Sequence, residues 1–171
     1  MAISAKFIED ITLLELTARK YILSGIDNFK LAEEVLKYID DRKSKDNNSG
    51  LSEDSKFDPV EGSEGFKLIT AVNEIAKEKG LVNVSQWGQI HRPLESTNTH
   101  HHGESPFAWT YYVQIPPGAG DLTFSFLDRF RYSIPAEVNA LIIFPGWMNH
   151  SVSKNIGTGI RISVAGNLEK R

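Results

Sequence analysis

The densest set of metal-ligand side chains in this chain is His100-His101-His102-Gly103-Glu104. Alternate side chains of an extended segment share a face. His100 and His102 therefore point together and His101 points away, and Glu104 joins their face if the segment stays extended past Gly103. Two imidazoles, or an imidazole and a carboxylate, spaced i and i+2 can take adjacent positions on one metal. His150 follows the Pro145-Gly146 turn, opens a strand, and is the third candidate ligand. Two overlapping frames result: His100, His102 and His150, or His102, Glu104 and His150. Two histidines and one carboxylate leave a face of octahedral iron open for substrate and oxygen. The plainer alternative is a polar loop with surface histidines. The chain has no cysteine, which excludes disulfides, thiolate metal sites and cysteine nucleophiles.

Arg161 and Ser163 share one face of the last strand, with Ile160, Ile162 and Val164 on the other. A buried arginine is costly unless an anion neutralises it, and its planar fork suits a carboxylate, to which a serine adds a hydroxyl donor. Arg161 follows His150 by 11 positions, and the turn between them brings the two to a similar level. A metal ligand and an arginine flanking one cavity would suit a dicarboxylate that bridges them. The competing expectation is an internal salt bridge from Arg161 to Asp128 or Glu137. Trp87, Gln89 and Tyr112 sit at strand positions where they could line the cavity.

The elements that position these groups follow from periodicity. Phe29, Ala32, Val35, Leu36 and Ile39 recur at helical spacing and predict a helix over 29–42, with Asp27 and Asn28 as caps. A second helix is predicted over 65–79, with Phe66, Ile69, Val72 and Ala76 on one stripe and Gly80 as its stop. Between them, 43–63 is polar and predicts an exposed loop, either a spacer or an active-site lid. From residue 81 the period becomes two. Strands are predicted at 81–90, 107–115, 122–126, 130–134, 140–144, 149–153 and 159–167. Short strands with regular turns predict a mainly β chain with N-terminal helices, folded as a jelly roll.

The 171 residues predict one domain: a helical support region over 1–80 and a jelly-roll core over 81–171. Residues 1–90 hold 12 of the 19 Lys+Arg and 16 of the 22 Asp+Glu, whereas all five histidines lie in 91–171. Charge thus marks the first part as the solvated one and the second as the one carrying chemistry. A net charge of −3 argues against gripping a phosphate backbone, so no nucleic-acid partner is expected. No apolar run approaches a membrane span of roughly 18 residues, and no targeting segment is apparent. A soluble, cytoplasmic protein without membrane partners is expected.

Together Trp87, His100, His102, Tyr111-Tyr112-Val113, Phe144-Pro145, His150, Arg161, Ser163 and Asn167 resemble the small Fe(II)/2-oxoglutarate-dependent oxygenases, most of all the family common in phages and marine bacteria. The likeness covers about residues 81–171. It implies a cupin-like double-stranded β-helix, an Fe(II) centre, and 2-oxoglutarate whose far carboxylate meets Arg161 and Ser163. It also implies a dioxygenase that converts 2-oxoglutarate to succinate while hydroxylating a C–H bond. Most of that superfamily has H-x-D or H-x-E as its first two ligands, so His100-x-His102 departs from the wider pattern while matching the small family. The expected substrate is a small molecule or a protein, and a homodimer is one option for assembly. The alternative function is a cupin-type metal protein: an isomerase, a dioxygenase independent of 2-oxoglutarate, or a small-molecule binder.

Overall fold

The computed structural model of the protein describes residues 16–39, 53–127 and 129–171. In chain order the elements are β1 (Arg19–Ile22), α1 (Asn28–Tyr38), β2 (Glu53–Lys56), α2 (Glu64–Lys77), β3 (Leu81–His91), β4 (Thr97–His100), β5 (Phe107–Gln114), β6 (Leu122–Phe126), β7 (Phe130–Ile134), β8 (Ala140–Pro145), β9 (Asn149–Val152) and β10 (Arg161–Lys170). The strands pair antiparallel in two sheets, ordered β1-β8-β5-β10-β3-β2 and β4-β9-β6-β7. Ala108, Tyr112, Ile142 and Phe144 of the larger sheet meet Leu122 and Phe124 of the smaller one. This is the predicted double-stranded β-helix, mainly β with two helices against one face.

The helices cover the outer face of the larger sheet, where Trp109, Tyr111, Val113, Leu141, Ile162 and Val164 form one buried cluster with Leu31, Val35, Leu68 and Val72. Asp27 starts α1, its Oδ1 accepting from the Phe29 and Lys30 amides at 3.1 and 3.3 Å, and the Ser63 hydroxyl accepts from the Phe66 amide at 3.2 Å to start α2. Both helices are rotated from the expected stripes: Leu31, Ala32 and Val35 face inward in α1, and Gly65, Leu68, Val72 and Ala76 in α2, while Phe29 and Phe66 are exposed. Contact with small residues decides the rotation. A Cβ on Gly88 of β3 would lie 2.7 Å from Val35 Cγ1, so α1 presses its Val35 into the gap that this glycine leaves. Residues 40–42 of the expected first helix lie outside the described residues.

The exposed loop expected over 43–63 needs correction where it is described. Residues 53–56 are β2, paired along β3 with Glu53 opposite Ile90 and Lys56 opposite Trp87, and Phe57 is fully buried. Its ring meets Tyr38 edge-on at 5.1 Å, so one aromatic in a polar stretch anchors the segment to the core. Residues 43–52 lie outside the described residues. The region before residue 80 therefore supplies sheet as well as helices, since β1 pairs with β8. Among the described residues no helix is long and apolar enough to cross a membrane.

Candidate metal centre and anion pocket

In an antiparallel pair, directly opposed residues point to the same face. Arg161, Ser163, Ala165 and Asn167 of β10 oppose His91, Gln89, Trp87 and Ser85 of β3. On the other side of β10, Ser163, Ala165 and Asn167 oppose Tyr112, Thr110 and Ala108 of β5, after a bulge between Ile162 and Ser163. Alternation thus assembles a row of mostly polar and small side chains inside the β-helix, facing the smaller sheet, while the alternate residues pack under the helices.

The smaller sheet brings the histidines to that row. His100 at the end of β4 lies opposite His150 of β9, and His150 lies opposite Phe124 of β6. His102 follows β4, and its amide donates to the Gly146 carbonyl at 2.7 Å. A Cβ on Gly146 would lie 2.2 Å from the Ser105 carbonyl oxygen, so the Pro145-Gly146 turn needs glycine to come this close. The ligand-capable nitrogens of His100, His102 and His150 all lie within 4.8 Å of one another, the one such group among the described residues.

Each of these rings has one nitrogen already engaged. Nδ1 of His100 donates to the Asn98 carbonyl at 2.9 Å, Nδ1 of His102 to Asn167 Oδ1 at 2.5 Å, and Nδ1 of His150 to the Met148 carbonyl at 2.8 Å. An oxygen that only accepts puts the hydrogen on Nδ1 and leaves Nε2 with a bare lone pair. The bare Nε2 atoms of His102 and His150 face each other at 3.2 Å, an arrangement that favours a cation shared between them. Burial pushes the His150 imidazolium down to about 3 and lowers that of His102 as well. Both rings are therefore neutral at neutral pH, the form that binds metal. His101 lies outside the cluster, lines the open cleft, is exposed, and accepts from the Gly103 amide through Nδ1 at 2.9 Å. Glu104 is exposed and lies outside the cluster. Gly103, at φ 61°, ends the extended run before Glu104 can rejoin the ligand face, which corrects the frame that used its carboxylate.

At the other end, Arg161 is 1% exposed and Ser163 fully buried. The Nη1 group of Arg161 donates to Ser163 Oγ at 3.1 Å and faces His91 Nδ1 at 3.2 Å, and its guanidinium carbon lies 5.2 Å from the centre of the Tyr112 ring. Of the two acids expected to pair with Arg161, Glu137 pairs with Lys20 instead, and Asp128 lies outside the described residues. Among the described residues two buried polar atoms have no hydrogen bond of good geometry, Arg161 Nε and the Tyr112 hydroxyl, and the two groups are close enough to stabilise each other's charged form. Burial pushes the Tyr112 phenol up to about 12, so it is a neutral donor. Native interiors seldom orphan such groups without a reason, and these two adjoin.

A narrow space of about 40 Å³ touches all three histidines and Arg161, with Thr110, Phe144 and Ala165 among its walls. Trp87, Gln89, Thr97, His100 and His102 separate it from an open cleft of about 900 Å³. Trp87 stacks on His102 with ring centres 5.4 Å apart. The expected lining residues Trp87 and Gln89 thus sit at the boundary of both spaces, whereas Tyr112, also expected in the lining, borders neither and packs against Arg161 instead. His91 was not among the expected site residues. Its signal is the period of two, which carries the face of Trp87 and Gln89 one step further along β3.

No protein-family model matches the chain, and no curated protein matches it. Solved structures do. A prolyl-4-hydroxylase from Pseudomonas putida superposes with a TM-score of 0.68 at 14% identity, over 90% of this chain and 92% of that one. A viral collagen prolyl hydroxylase from Paramecium bursaria Chlorella virus 1, solved with 2-oxoglutarate, gives 0.68 at 16% identity, over 90% and 96%. The α-ketoglutarate-dependent epimerase SnoN of nogalamycin biosynthesis gives 0.67 at 17% identity, over 90% and 77%. The chain has the double-stranded β-helix fold of solved 2-oxoglutarate/Fe(II) oxygenases.

Proposed function

We propose that the protein is an Fe(II)- and 2-oxoglutarate-dependent dioxygenase that hydroxylates a substrate reached through the open cleft. The observation that carries this reading is the single narrow space joining three converging imidazoles to a buried arginine with no carboxylate paired to it among the described residues. Both groups fit the residues present. His100, His102 and His150 would hold iron through their Nε2 atoms. Arg161 Nε and the Tyr112 hydroxyl, the two orphaned donors, would meet the far carboxylate of 2-oxoglutarate. Ser163 Oγ accepts from Arg161, which leaves its own hydrogen free to donate to the same carboxylate.

When bound, iron and 2-oxoglutarate supply the oxidising chemistry: the oxo-acid is converted with O2 to succinate and CO2, and one oxygen atom enters a substrate C–H bond. The chain's own residues do the holding. Asn167 and two backbone carbonyls fix the imidazole tautomers. Phe124 and Phe144 pack around His150 with ring centres 6.2 and 4.8 Å away and keep water from that side. Trp87 and Gln89 are half-buried and border the cleft, so they are the side chains with room to shift as the narrow space widens around a five-carbon diacid.

The test needs no knowledge of the substrate. Protein purified without nickel resin is incubated with Fe(II), 2-oxoglutarate and O2, and succinate is quantified. The expected result is slow uncoupled succinate formation that disappears in the His102→Ala/His150→Ala variant. A native protein that binds metal yet forms no succinate would sink the oxygenase reading and leave the cupin-type metal protein in its place.

A further inference from the structure

We propose that His91 is a positioning residue for the cosubstrate anchor: it holds Arg161 in place without neutralising it. This rests on the function proposed above.

His91 is the last residue of β3, lies directly opposite Arg161 of β10, and is fully buried. Its ring spans two partners, Thr97 Oγ1 at 2.8 Å from Nε2 and Arg161 Nη1 at 3.2 Å from Nδ1. A guanidinium can only donate. Nδ1 of His91 must therefore accept, and its hydrogen sits on Nε2, directed at the Thr97 hydroxyl. The backbone at His91 is tied down too, since Asn155, itself fully buried, donates to its carbonyl at 3.0 Å. Burial, with the charge of Arg161 beside it, pushes the His91 imidazolium down to about 3, so the ring is a neutral acceptor.

The choice of a neutral acceptor has a consequence. A carboxylate at this position would pair with Arg161 and compete with any incoming diacid. His91 and Ser163 instead occupy Nη1 alone, while Nε has no hydrogen bond of good geometry among the described residues. Asp121 favours the guanidinium charge only from beyond salt-bridge distance and accepts from the Ala136 amide. The arginine is thereby oriented by neutral groups, and its positive charge stays available for a ligand carboxylate.

The test exploits an isosteric pair. Asn at position 91 offers an acceptor oxygen near the place of Nδ1, and Asp offers the same shape with a charge. Iron-loaded native protein, His91→Asn and His91→Asp are titrated anaerobically with 2-oxoglutarate, and iron affinity is measured in parallel. His91→Asn should stay within about threefold of native, while His91→Asp should bind 2-oxoglutarate about tenfold or more weakly, the scale on which outer partners of a site act. Iron affinity should be unchanged in both. Native-like 2-oxoglutarate binding by His91→Asp, or an equal loss in both variants, overturns the inference and leaves the proposed function standing. Failure of the native protein to bind 2-oxoglutarate overturns the function itself, and this inference with it. If either variant fails to fold, nitrogen NMR of the native protein decides: hydrogen on Nε2 of His91 supports the role, and hydrogen on Nδ1 overturns it.

Discussion

The two ends of the inner cavity are built in opposite ways. At the histidine end every ring has one nitrogen satisfied by the protein and the other left bare, and the bare nitrogens converge. At the arginine end the ring of partners is deliberately incomplete: Nη1 is held, while Nε and the neighbouring Tyr112 hydroxyl have no hydrogen bond of good geometry among the described residues. The histidine end presents lone pairs suited to a cation and the arginine end presents donors suited to an anion. A ligand that is both metal chelator and carboxylate meets both needs. One end is organised around lone pairs and the other around donors, so damage to them should have different signatures.

The largest effect should follow removal of two ligands. With His102 and His150 both replaced by alanine, stoichiometric Fe(II) binding should vanish, measured by metal analysis after dialysis. Retained metal would place the site elsewhere. Next comes Asn167→Leu, which takes away the acceptor that fixes His102. Loss of such an outer partner typically weakens metal affinity about 10- to 100-fold, and competition with a chelator would read it. An unchanged affinity would mean that Asn167 does not set the tautomer.

Tyr112→Phe sharpens the contrast at the other end. Its hydroxyl is buried without a hydrogen bond of good geometry among the described residues, a burden of about 1–3 kcal/mol, so the ligand-free variant should melt at a higher temperature while 2-oxoglutarate binds more weakly. A variant that is destabilised instead would show that the hydroxyl already has a partner. The smallest effect belongs to Glu104→Gln. Glu104 is exposed and outside the cluster, so iron affinity should not move. A loss rivalling that of His100→Ala would restore the carboxylate frame.

The difference between the two ends also marks what the sequence made legible. Ligands spaced i and i+2 on a short segment are local, so His100 and His102 stood out, and His150 followed from its turn. Strict alternation revealed the long strands and put Arg161 and Ser163 on one face. Gly103 was the local cue against Glu104, because a left-handed residue breaks the parity of an extended run. What alternation could not supply was pairing. The contact of His91 with Arg161 spans 70 positions and depends on the β3–β10 register. The short strands β1, β2 and β4 have four residues each, too few for a period of two to show, and their pairing partners create them. Phe57 was hidden for a related reason: a lone aromatic in a polar stretch becomes an anchor only once Tyr38 and Gly65 are beside it.

The central claim, that one cavity holds a metal at its histidine end and a carboxylate at its arginine end, is tested most directly by anaerobic titration of 2-oxoglutarate into the Fe(II) protein, following the metal-to-ligand charge-transfer band. The native protein should develop the band. Arg161→Ala should bind iron normally yet lose on the order of 2–5 kcal/mol of 2-oxoglutarate affinity, because a partly desolvated ion pair is removed. Arg161→Lys should recover only part of that loss, since an ammonium cannot make two parallel hydrogen bonds to a carboxylate. A native protein that binds iron but never develops the band, or an Arg161→Ala variant that binds 2-oxoglutarate as tightly as the native protein, would contradict the account.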